Sequence, residues 1–128
     1  MATLVGADIQ GVDEVQRSIQ AFGDRYLRRI YTDAELEDCR SSAHQAQALA
    51  SRFAAKEAVF KILSAGNPWA SWKEVEVRDL GPGQLAIALS GAAAEQATRQ
   101  GITTISLSLS QGGGTAMAVV VAEFDREQ

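Results

Sequence analysis

The sequence contains few cysteines, prolines and aromatic residues. Its 128 residues include one cysteine, two prolines and 6% aromatic residues. The lone Cys39 cannot form an internal disulfide, and the adjacent Asp38 and Arg40 complete no metal or redox motif, so we expect a reducing compartment. No apolar run is long enough to span a bilayer, and no basic leader precedes an apolar stretch near the start. These features predict a soluble cytoplasmic protein that does not enter a membrane.

Positive charge is also scarce. Twelve Lys and Arg residues stand against sixteen Asp and Glu residues, which gives a formal net charge of −4. The chain therefore has no general cationic field for nucleic acid or anionic lipid, and an anionic partner must meet a local basic patch. With 46% hydrophobic residues, a chain of this length can close one core, so residues 1–128 are expected to form one domain.

The first half of the chain is predicted to be mainly helical. Residues 3–9 predict a short buried strand that ends where Asp8 leaves the sheet. A helix is expected from Asp13, with an apolar face, and a second helical piece at 25–31. The members of that apolar face are Val12, Val15, Ile19 and Phe22.

Capping signals define the next two helices. Thr32 stands three residues before Glu35, which is the spacing of a capping box and predicts a short helix to about residue 40. Residues 43–63 contain no Gly or Pro and predict the longest helix. A break is expected at residues 66–68, where the sequence reads Gly-Asn-Pro.

The second half of the chain is predicted to be mainly strands. Four segments alternate or run apolar with β-branched residues, at 74–80, 84–90, 104–110 and 115–124, and an Ala-rich helix is expected at 91–101. The predicted fold class is α+β, a single domain with a long helix packed on a mostly antiparallel sheet. Three serines would line one face of the third strand: Ser106, Ser108 and Ser110. That face could be turned to solvent, contact another subunit or bind a ligand.

Charged residues are densest in R-F-A-A-K-E-A-V-F-K, inside the predicted long helix. Residues four apart share a helix face, so Glu57 and Lys61 point together, while Arg52 and Lys56 share the adjacent face. Such spacing is also common on ordinary helix surfaces, where a Glu–Lys pair contributes about 0.2–0.5 kcal/mol.

A functional interpretation requires a second carboxylate. Mg²⁺ on a pyrophosphate commonly takes one or two protein carboxylates together with substrate oxygens and water. Asp8 is the candidate, and the alternative is a cap or turn aspartate.

Two motifs together resemble a known family. V-G-A-D-I at residues 5–9 and R-F-A-A-K-E-A-x-x-K at 52–61 resemble the phosphopantetheinyl transferases, specifically the short holo-acyl-carrier-protein synthase group. The connecting segment at 23–36 and the closing strands are also similar. The resemblance covers nearly the whole chain.

The resemblance implies a transferase of lipid metabolism and fatty acid biosynthesis. It would move 4'-phosphopantetheine from coenzyme A to a serine of an acyl carrier protein and release 3',5'-ADP. By residue match, Asp8 and Glu57 would hold Mg²⁺ and Lys61 would neutralise the coenzyme A pyrophosphate, which makes all three candidate catalytic residues. Three further residues are candidates for contacts with coenzyme A: Arg52, Lys56 and Gln111.

The same resemblance implies a homotrimer with coenzyme A bound between neighbouring subunits. The carrier protein would dock on the helix after the first motif, where Arg25 and Arg29 match basic positions. These arginines are four apart on the predicted helix and form a local cationic face that suits an acidic carrier.

The sequence departs from its relatives at two positions. Many relatives have an arginine where this chain has Glu14, which would repel an acidic carrier unless Arg17, one turn away, substitutes. Relatives often read S-L-S-H where this chain ends in Gln111, so a histidine that could pair with a phosphate is replaced by a neutral amide. The only histidine, His44, matches no catalytic position and is expected to be exposed.

The sequence leaves two questions open: which group accepts the serine proton, and whether the protein is an active enzyme. Glu57 could accept the serine proton directly or through water, and a metal-bound water is equally compatible with the sequence. A catalytically silent trimeric homologue that acts as a binding or scaffold protein is the main rival. An unrelated α+β domain with an ordinary charged helix is the other.

Overall fold

The computed structural model describes residues 2–63 and 70–125. In these ranges the chain forms an α+β fold of five α-helices, five strands and one 3₁₀ turn. None of these helices is long and apolar enough to cross a membrane. In chain order the elements are β1 (Ala2–Gly11), α1 (Val12–Phe22), α2 (Asp24–Ile30), α3 (Asp33–Arg40), α4 (Gln45–Ile62), the 3₁₀ turn (Trp72–Glu74), β2 (Val75–Gly81), β3 (Gln84–Leu89), α5 (Gly91–Arg99), β4 (Ile102–Gly112) and β5 (Thr115–Phe124).

The strands form two antiparallel sheets. One has the order β1-β5-β4, and the other is the β2-β3 hairpin. Along β5, alternate alanines and Val120 are buried on the face that meets α4. The opposite face carries the three serines of β4, all exposed, and on β1 the apolar Val5 and Ile9, which are 65% and 66% exposed.

The predicted order of helices and strands is confirmed, and three details differ. Asp8 does not leave the sheet, because β1 continues to Gly11 and Asp8 pairs with Ala118. Phe22 is 57% exposed instead of covering the apolar face, since it is the last residue of α1 before the turn at Gly23. The 3₁₀ turn was not predicted. The predicted break at 66–68 lies outside the described residues.

The long helix α4 packs directly on β1 and β5. Its contact with β1 is close at Gly6, where a Cβ atom would lie 2.5 Å from the Ala58 carbonyl oxygen and 3.0 Å from Ile62 Cγ2. Only glycine fits such an approach without moving the helix. The absence of a side chain at Gly6 therefore fixes how near α4 lies to the strand.

A second core joins α1, α2 and α3 to the first half of α4. Val15, Tyr31 and Leu49 are buried there, and the Tyr31 hydroxyl donates to the Leu49 carbonyl at 3.1 Å. Cys39 is also fully buried, and burial raises the pKa of its thiol to about 11.

A buried ion pair connects the two cores. Lys56 Nζ lies 2.7 Å from Glu35 Oε1, and both side chains are 0% exposed. Lys56 also donates to the carbonyls of Trp72 and Val75, at 3.1 and 2.5 Å. Burial lowers the pKa of Lys56, and the Glu35 carboxylate opposes that effect. Lys56 thus ties α4 to α3 and to the start of β2.

Glu35 is held equally firmly. The capping box at Thr32 forms as predicted, with Glu35 Oε1 accepting the Thr32 N–H at 2.9 Å. Its second oxygen accepts the Val77 N–H at 2.7 Å. The prediction that Lys56 contacts coenzyme A is wrong for this chain, because its ammonium is buried and fully engaged by protein groups.

Replacing Lys56 with Met should destabilise the fold by about 3–5 kcal/mol, because a buried carboxylate loses its charge partner. The double variant Lys56→Met/Glu35→Gln should recover part of that loss. Urea unfolding at fixed protein concentration measures the free energy of unfolding of the single and the double variant. Lys73→Met, an exposed lysine on the adjacent 3₁₀ turn, is the control and should change stability by less than about 0.5 kcal/mol. A loss below about 1 kcal/mol for Lys56→Met would contradict the role assigned to the pair.

Candidate active site

Asp8 and Lys61 meet where α4 crosses β1. Residues two apart share a strand face, so Asp8 lies on the same face as Gly6, towards the helix. Lys61 Nζ is 2.9 Å from Asp8 Oδ1 and 2.8 Å from the Ala7 carbonyl oxygen. The Asp8 side chain is 15% exposed and that of Lys61 56%. This pair joins the two sequence motifs in space and remains open to solvent on the lysine side.

Glu57 lies beside this pair, one turn before Lys61 on α4. Partial burial raises the pKa of Glu57, the negative charge of Asp8 raises it further, and Lys61 opposes both effects. A carboxylate whose pKa is raised is a better proton acceptor than one in water. We call Asp8, Glu57 and Lys61 the acidic cluster.

The acidic cluster suits a divalent cation held jointly with a substrate. Two carboxylates are too few to enclose Mg²⁺, and no group of three or more possible ligating side chains occurs in the described part of the chain. Mg²⁺ commonly binds one or two carboxylates and completes its octahedron with phosphate oxygens and water. Asp8 and Glu57 fit that donor set, and the Lys61 ammonium lies beside them.

A second polar site lies at the first half of α4. A cavity of about 440 Å³ is lined there by α4, the end of α3, and parts of β2, β3 and β4. Ser51 donates to Gln111 Oε1 at 3.2 Å inside this cavity. Arg52 also lines it, and its Nε is buried without a partner among the described residues. We call this space the α4 cavity.

The α4 cavity opens into a groove between the two sheets. A space of about 750 Å³ separates β4 from the tip of the β2-β3 hairpin and shares Arg52, Asp79, Leu85 and Leu109 with the α4 cavity. Its lining contains three leucines and the charged Arg52 and Asp79. Such a mixed lining suits a ligand that has both apolar and polar parts.

The two polar sites lie on opposite sides of α4. At about 100° per residue, Glu57 and Lys61 are rotated about 140° and 180° from Arg52 around the helix axis. One helix thus presents the acidic cluster in one direction and the α4 cavity in the other.

The three arginines expected to dock a carrier, Arg17, Arg25 and Arg29, are exposed on α1 and α2. Phe22, the last residue of α1, is also exposed. Glu14 is also exposed, and its carboxylate accepts the Gln10 side-chain amide at 2.9 Å.

The positions of the residues singled out in the sequence can now be stated. The structure brings together the two motif carboxylates and Lys61, as expected, and it places Arg52 and Gln111 in one cavity. His44 is exposed as predicted, yet it lines the α4 cavity together with Arg52. His44 is the non-helical residue before α4, so helix spacing in the sequence did not reveal this position.

Comparison with known proteins finds relatives that align with most of this chain. The holo-[acyl-carrier-protein] synthase of Desulforudis audaxviator is 40% identical over 118 residues, which cover 92% of this chain and 90% of that protein. The holo-[acyl-carrier-protein] synthase of Solibacter usitatus is 37% identical over 119 residues. The alignment covers 92% of this chain and 95% of that protein.

Solved structures of holo-[acyl-carrier-protein] synthases also resemble this chain. The holo-[acyl-carrier-protein] synthase from Neisseria meningitidis matches with a TM-score of 0.83 and 32% identity over 93% of this chain and 96% of that one. The Helicobacter pylori synthase in complex with coenzyme A matches with a TM-score of 0.81 and 26% identity, covering 94% and 100%. Since residues 4–120 also match the family directly, the chain belongs to the 4'-phosphopantetheinyl transferase superfamily.

Proposed function

We propose that this protein is a holo-[acyl-carrier-protein] synthase. It transfers 4'-phosphopantetheine from coenzyme A to a serine of an acyl carrier protein and releases 3',5'-ADP. The observation that carries the proposal is the convergence of Asp8, Glu57 and Lys61 at the crossing of α4 and β1, in a chain similar over most of its length to such synthases. A silent scaffold would have no need for these three charges at one point.

The reaction determines what each residue does. The serine oxygen attacks the β-phosphorus of coenzyme A, a new P–O bond forms, and the bridging P–O bond breaks with its electrons leaving on 3',5'-ADP. Negative charge grows on the phosphoryl oxygens during this step. Lys61 lies at an exposed edge of the acidic cluster and supplies positive charge there. Mg²⁺, when bound by Asp8 and Glu57, would supply Lewis-acid neutralisation of the pyrophosphate.

The serine proton must be accepted as the new bond forms. Glu57 has a raised pKa, and its side chain is only partly buried, so a carrier serine or a water molecule can approach it. We assign Glu57 the role of proton acceptor, directly or through one water.

The opposite placement of the two polar sites supports an active site shared between subunits. Coenzyme A has one pyrophosphate and a separate 3'-phosphate on its ribose. In a single chain α4 stands between the acidic cluster and the α4 cavity. In a homotrimer the acidic cluster of one copy would face the α4 cavity of the next, with Arg52 and Gln111 receiving the nucleotide end.

The exposed sheet face suits the assembly of such a trimer. β1, β5 and β4 present Val5, Ile9, Met117 and alternate serines on the side away from α4. Apolar residues of this kind on an open sheet are typical of a surface covered by another subunit.

The carrier protein would dock on α1 and α2. Acyl carrier proteins are acidic, and Arg17, Arg25 and Arg29 form a cationic surface on an otherwise acidic chain. Phe22, exposed at the end of α1, would add an apolar contact.

The first prediction for this function concerns Glu57. Incubation with apo carrier protein, coenzyme A and Mg²⁺ should add one phosphopantetheine to the carrier, as measured by its mass. Glu57→Gln should lower the rate by about 10²–10⁴-fold, because the proton acceptor and one carboxylate are lost. Glu95→Gln, an exposed glutamate on α5, is the matched control and should keep the parent rate. An unmodified carrier with the parent protein would contradict the proposed function, and equal rates for Glu57→Gln and the parent would exclude Glu57.

Subunit mixing tests the shared active site. Glu57→Gln disables the acidic cluster and Arg52→Gln the α4 cavity, so each variant alone should be weak. Random mixed trimers of the two should regain about a quarter of parent activity, because about one interface in four joins two intact sites.

The control for mixing uses two variants of the same site. Glu57→Gln mixed with Asp8→Asn should regain nothing, since no interface then has an intact acidic cluster. Absence of recovery in the first mixture, with subunit exchange verified by mass spectrometry, would place the whole site within one chain.

Charge reversal tests carrier docking. Arg25→Glu or Arg29→Glu should raise the KM for the carrier several-fold and weaken its dependence on salt, because each exposed charge contributes about 1 kcal/mol or less. Glu14→Arg should lower the same KM. The affinity for coenzyme A should stay constant, and Arg99→Glu on α5 is the matched control. If none of the three changes alters carrier kinetics, the docking surface lies elsewhere.

A further inference from the structure

The Lys61 ammonium in the acidic cluster is held by β1. Its Nζ donates to Asp8 Oδ1 at 2.9 Å and to the Ala7 carbonyl oxygen at 2.8 Å. An ammonium has three donors, so the strand engages two of them. The reaction described above needs this positive charge on the pyrophosphate instead. Lys61 therefore has two anionic partners to choose between, the Asp8 carboxylate and the phosphate oxygens of a substrate.

The same Asp8 carboxylate is the proposed ligand of a divalent cation. Its side chain is only 15% exposed, so there is little room around its oxygens for both an ammonium and a hydrated metal ion. Two cations on one carboxylate also repel each other. Binding of a metal ion by Asp8 is therefore opposed as long as Lys61 remains in contact with it.

The charges of the acidic cluster lead to the same expectation. Asp8 and Glu57 carry two negative charges, and Lys61 carries one positive charge. Burial and the Asp8 charge raise the pKa of Glu57, and Lys61 opposes both effects, so the ammonium acts on both carboxylates. A divalent cation added to these three groups would leave them with a net positive charge. A pyrophosphate beside them removes that excess and offers the ammonium a new partner.

The Lys61 side chain can change partner without any movement of the backbone. It lies in the last turn of α4 and is 56% exposed, and lysine is a flexible four-carbon chain that ends in a point charge. Lys56 on the same helix is the opposite case. Its side chain is fully buried, and Glu35 and two backbone carbonyls hold its ammonium. Of these two lysines of α4, only Lys61 is free to exchange partners.

We infer that Lys61 changes partner from Asp8 to the pyrophosphate when coenzyme A binds, so that a divalent metal ion and coenzyme A each bind more tightly in the presence of the other. The inference rests on the proposed function, since it takes coenzyme A as the ligand. It goes further by making Lys61 the group that couples the two binding steps. Thermodynamic linkage requires the coupling factor to be the same for both ligands.

The experiment measures this coupling with Mn²⁺ as the metal probe. Mn²⁺ prefers the same oxygen ligands as Mg²⁺, and electron paramagnetic resonance measures its free concentration. The Kd of Mn²⁺ is determined for the full-length protein without coenzyme A and with saturating coenzyme A, corrected for Mn²⁺ bound by free coenzyme A. Calorimetry gives the Kd of coenzyme A with and without Mn²⁺. No carrier protein is added, so no transfer to a carrier occurs during the measurement.

Lys61→Met should change two of the four Kd values. Without coenzyme A it should bind Mn²⁺ about fivefold more tightly than the parent, the size of one exposed charge contact, because nothing then competes for Asp8. With saturating coenzyme A, the Kd of Mn²⁺ should differ by less than about twofold, because the parent lysine has left Asp8. The Kd of coenzyme A should be about equal without Mn²⁺ and about fivefold higher in Lys61→Met with Mn²⁺.

Two further variants separate the exchange from a general change in charge. Lys61→Arg keeps a positive charge that can pair with Asp8, so it should bind Mn²⁺ within about twofold of the parent. Lys73→Met removes an exposed lysine from the 3₁₀ turn and lowers the net charge by the same amount as Lys61→Met. It should leave the Kd values of Mn²⁺ and coenzyme A unchanged.

The four Kd values distinguish the outcomes. A parent protein that binds no coenzyme A, with or without Mn²⁺, would overturn the proposed function and the inference together. If Lys61→Met binds Mn²⁺ more tightly by the same factor with and without coenzyme A, the lysine acts from a fixed position and the inference alone is overturned. It is also overturned if Lys61→Met weakens coenzyme A binding equally in both conditions and leaves Mn²⁺ binding unchanged, since Lys61 would then contact only the phosphate.

Discussion

The close approach of α4 to β1 is the constraint on which the rest of the site depends. Gly6 leaves room for the Ala58 carbonyl, and buried alanines on α4 and β5 keep the layers near each other. At this separation Lys61 reaches across to Asp8, and Glu57 comes within the field of the same carboxylate. A larger residue at position 6 would push the helix outwards and separate the carboxylate of the strand from the charged groups of the helix.

The helix α4 presents different chemistry on each of its sides. One side buries Lys56 against Glu35, which fixes the rotation of the helix about its axis through α3 and β2. Arg52 lies one turn earlier on nearly the same side as Lys56, and the other side holds Glu57 and Lys61. Because these side chains share one rigid backbone, a buried ion pair that never contacts substrate determines where both polar sites point. The packing of Lys56 against Glu35 and the proposed sharing of the active site between copies therefore both depend on how α4 is oriented.

Much of this arrangement could be predicted from the sequence, for identifiable reasons. The capping box at Thr32, the absence of Gly and Pro from the long helix and the alternating pattern of β4 are local signals, and all three were correct. Lys56 was misplaced because helix spacing gives only a direction, and its buried partner Glu35 is 21 residues earlier on another helix. The continuation of β1 past Asp8 likewise depends on pairing with the distant β5.

The isolation of Cys39 has a consequence for the chemistry of the whole protein. Coenzyme A carries a thiol, and thiols exchange with protein disulfides or with reactive thiolates. The one cysteine of the chain is fully buried, and the pKa of its thiol is raised to about 11. It therefore stays protonated and shielded at neutral pH, and a thiolate is the form that reacts. The protein can hold a thiol-bearing substrate, or an oxidised form of it, without forming a mixed disulfide with its own chain.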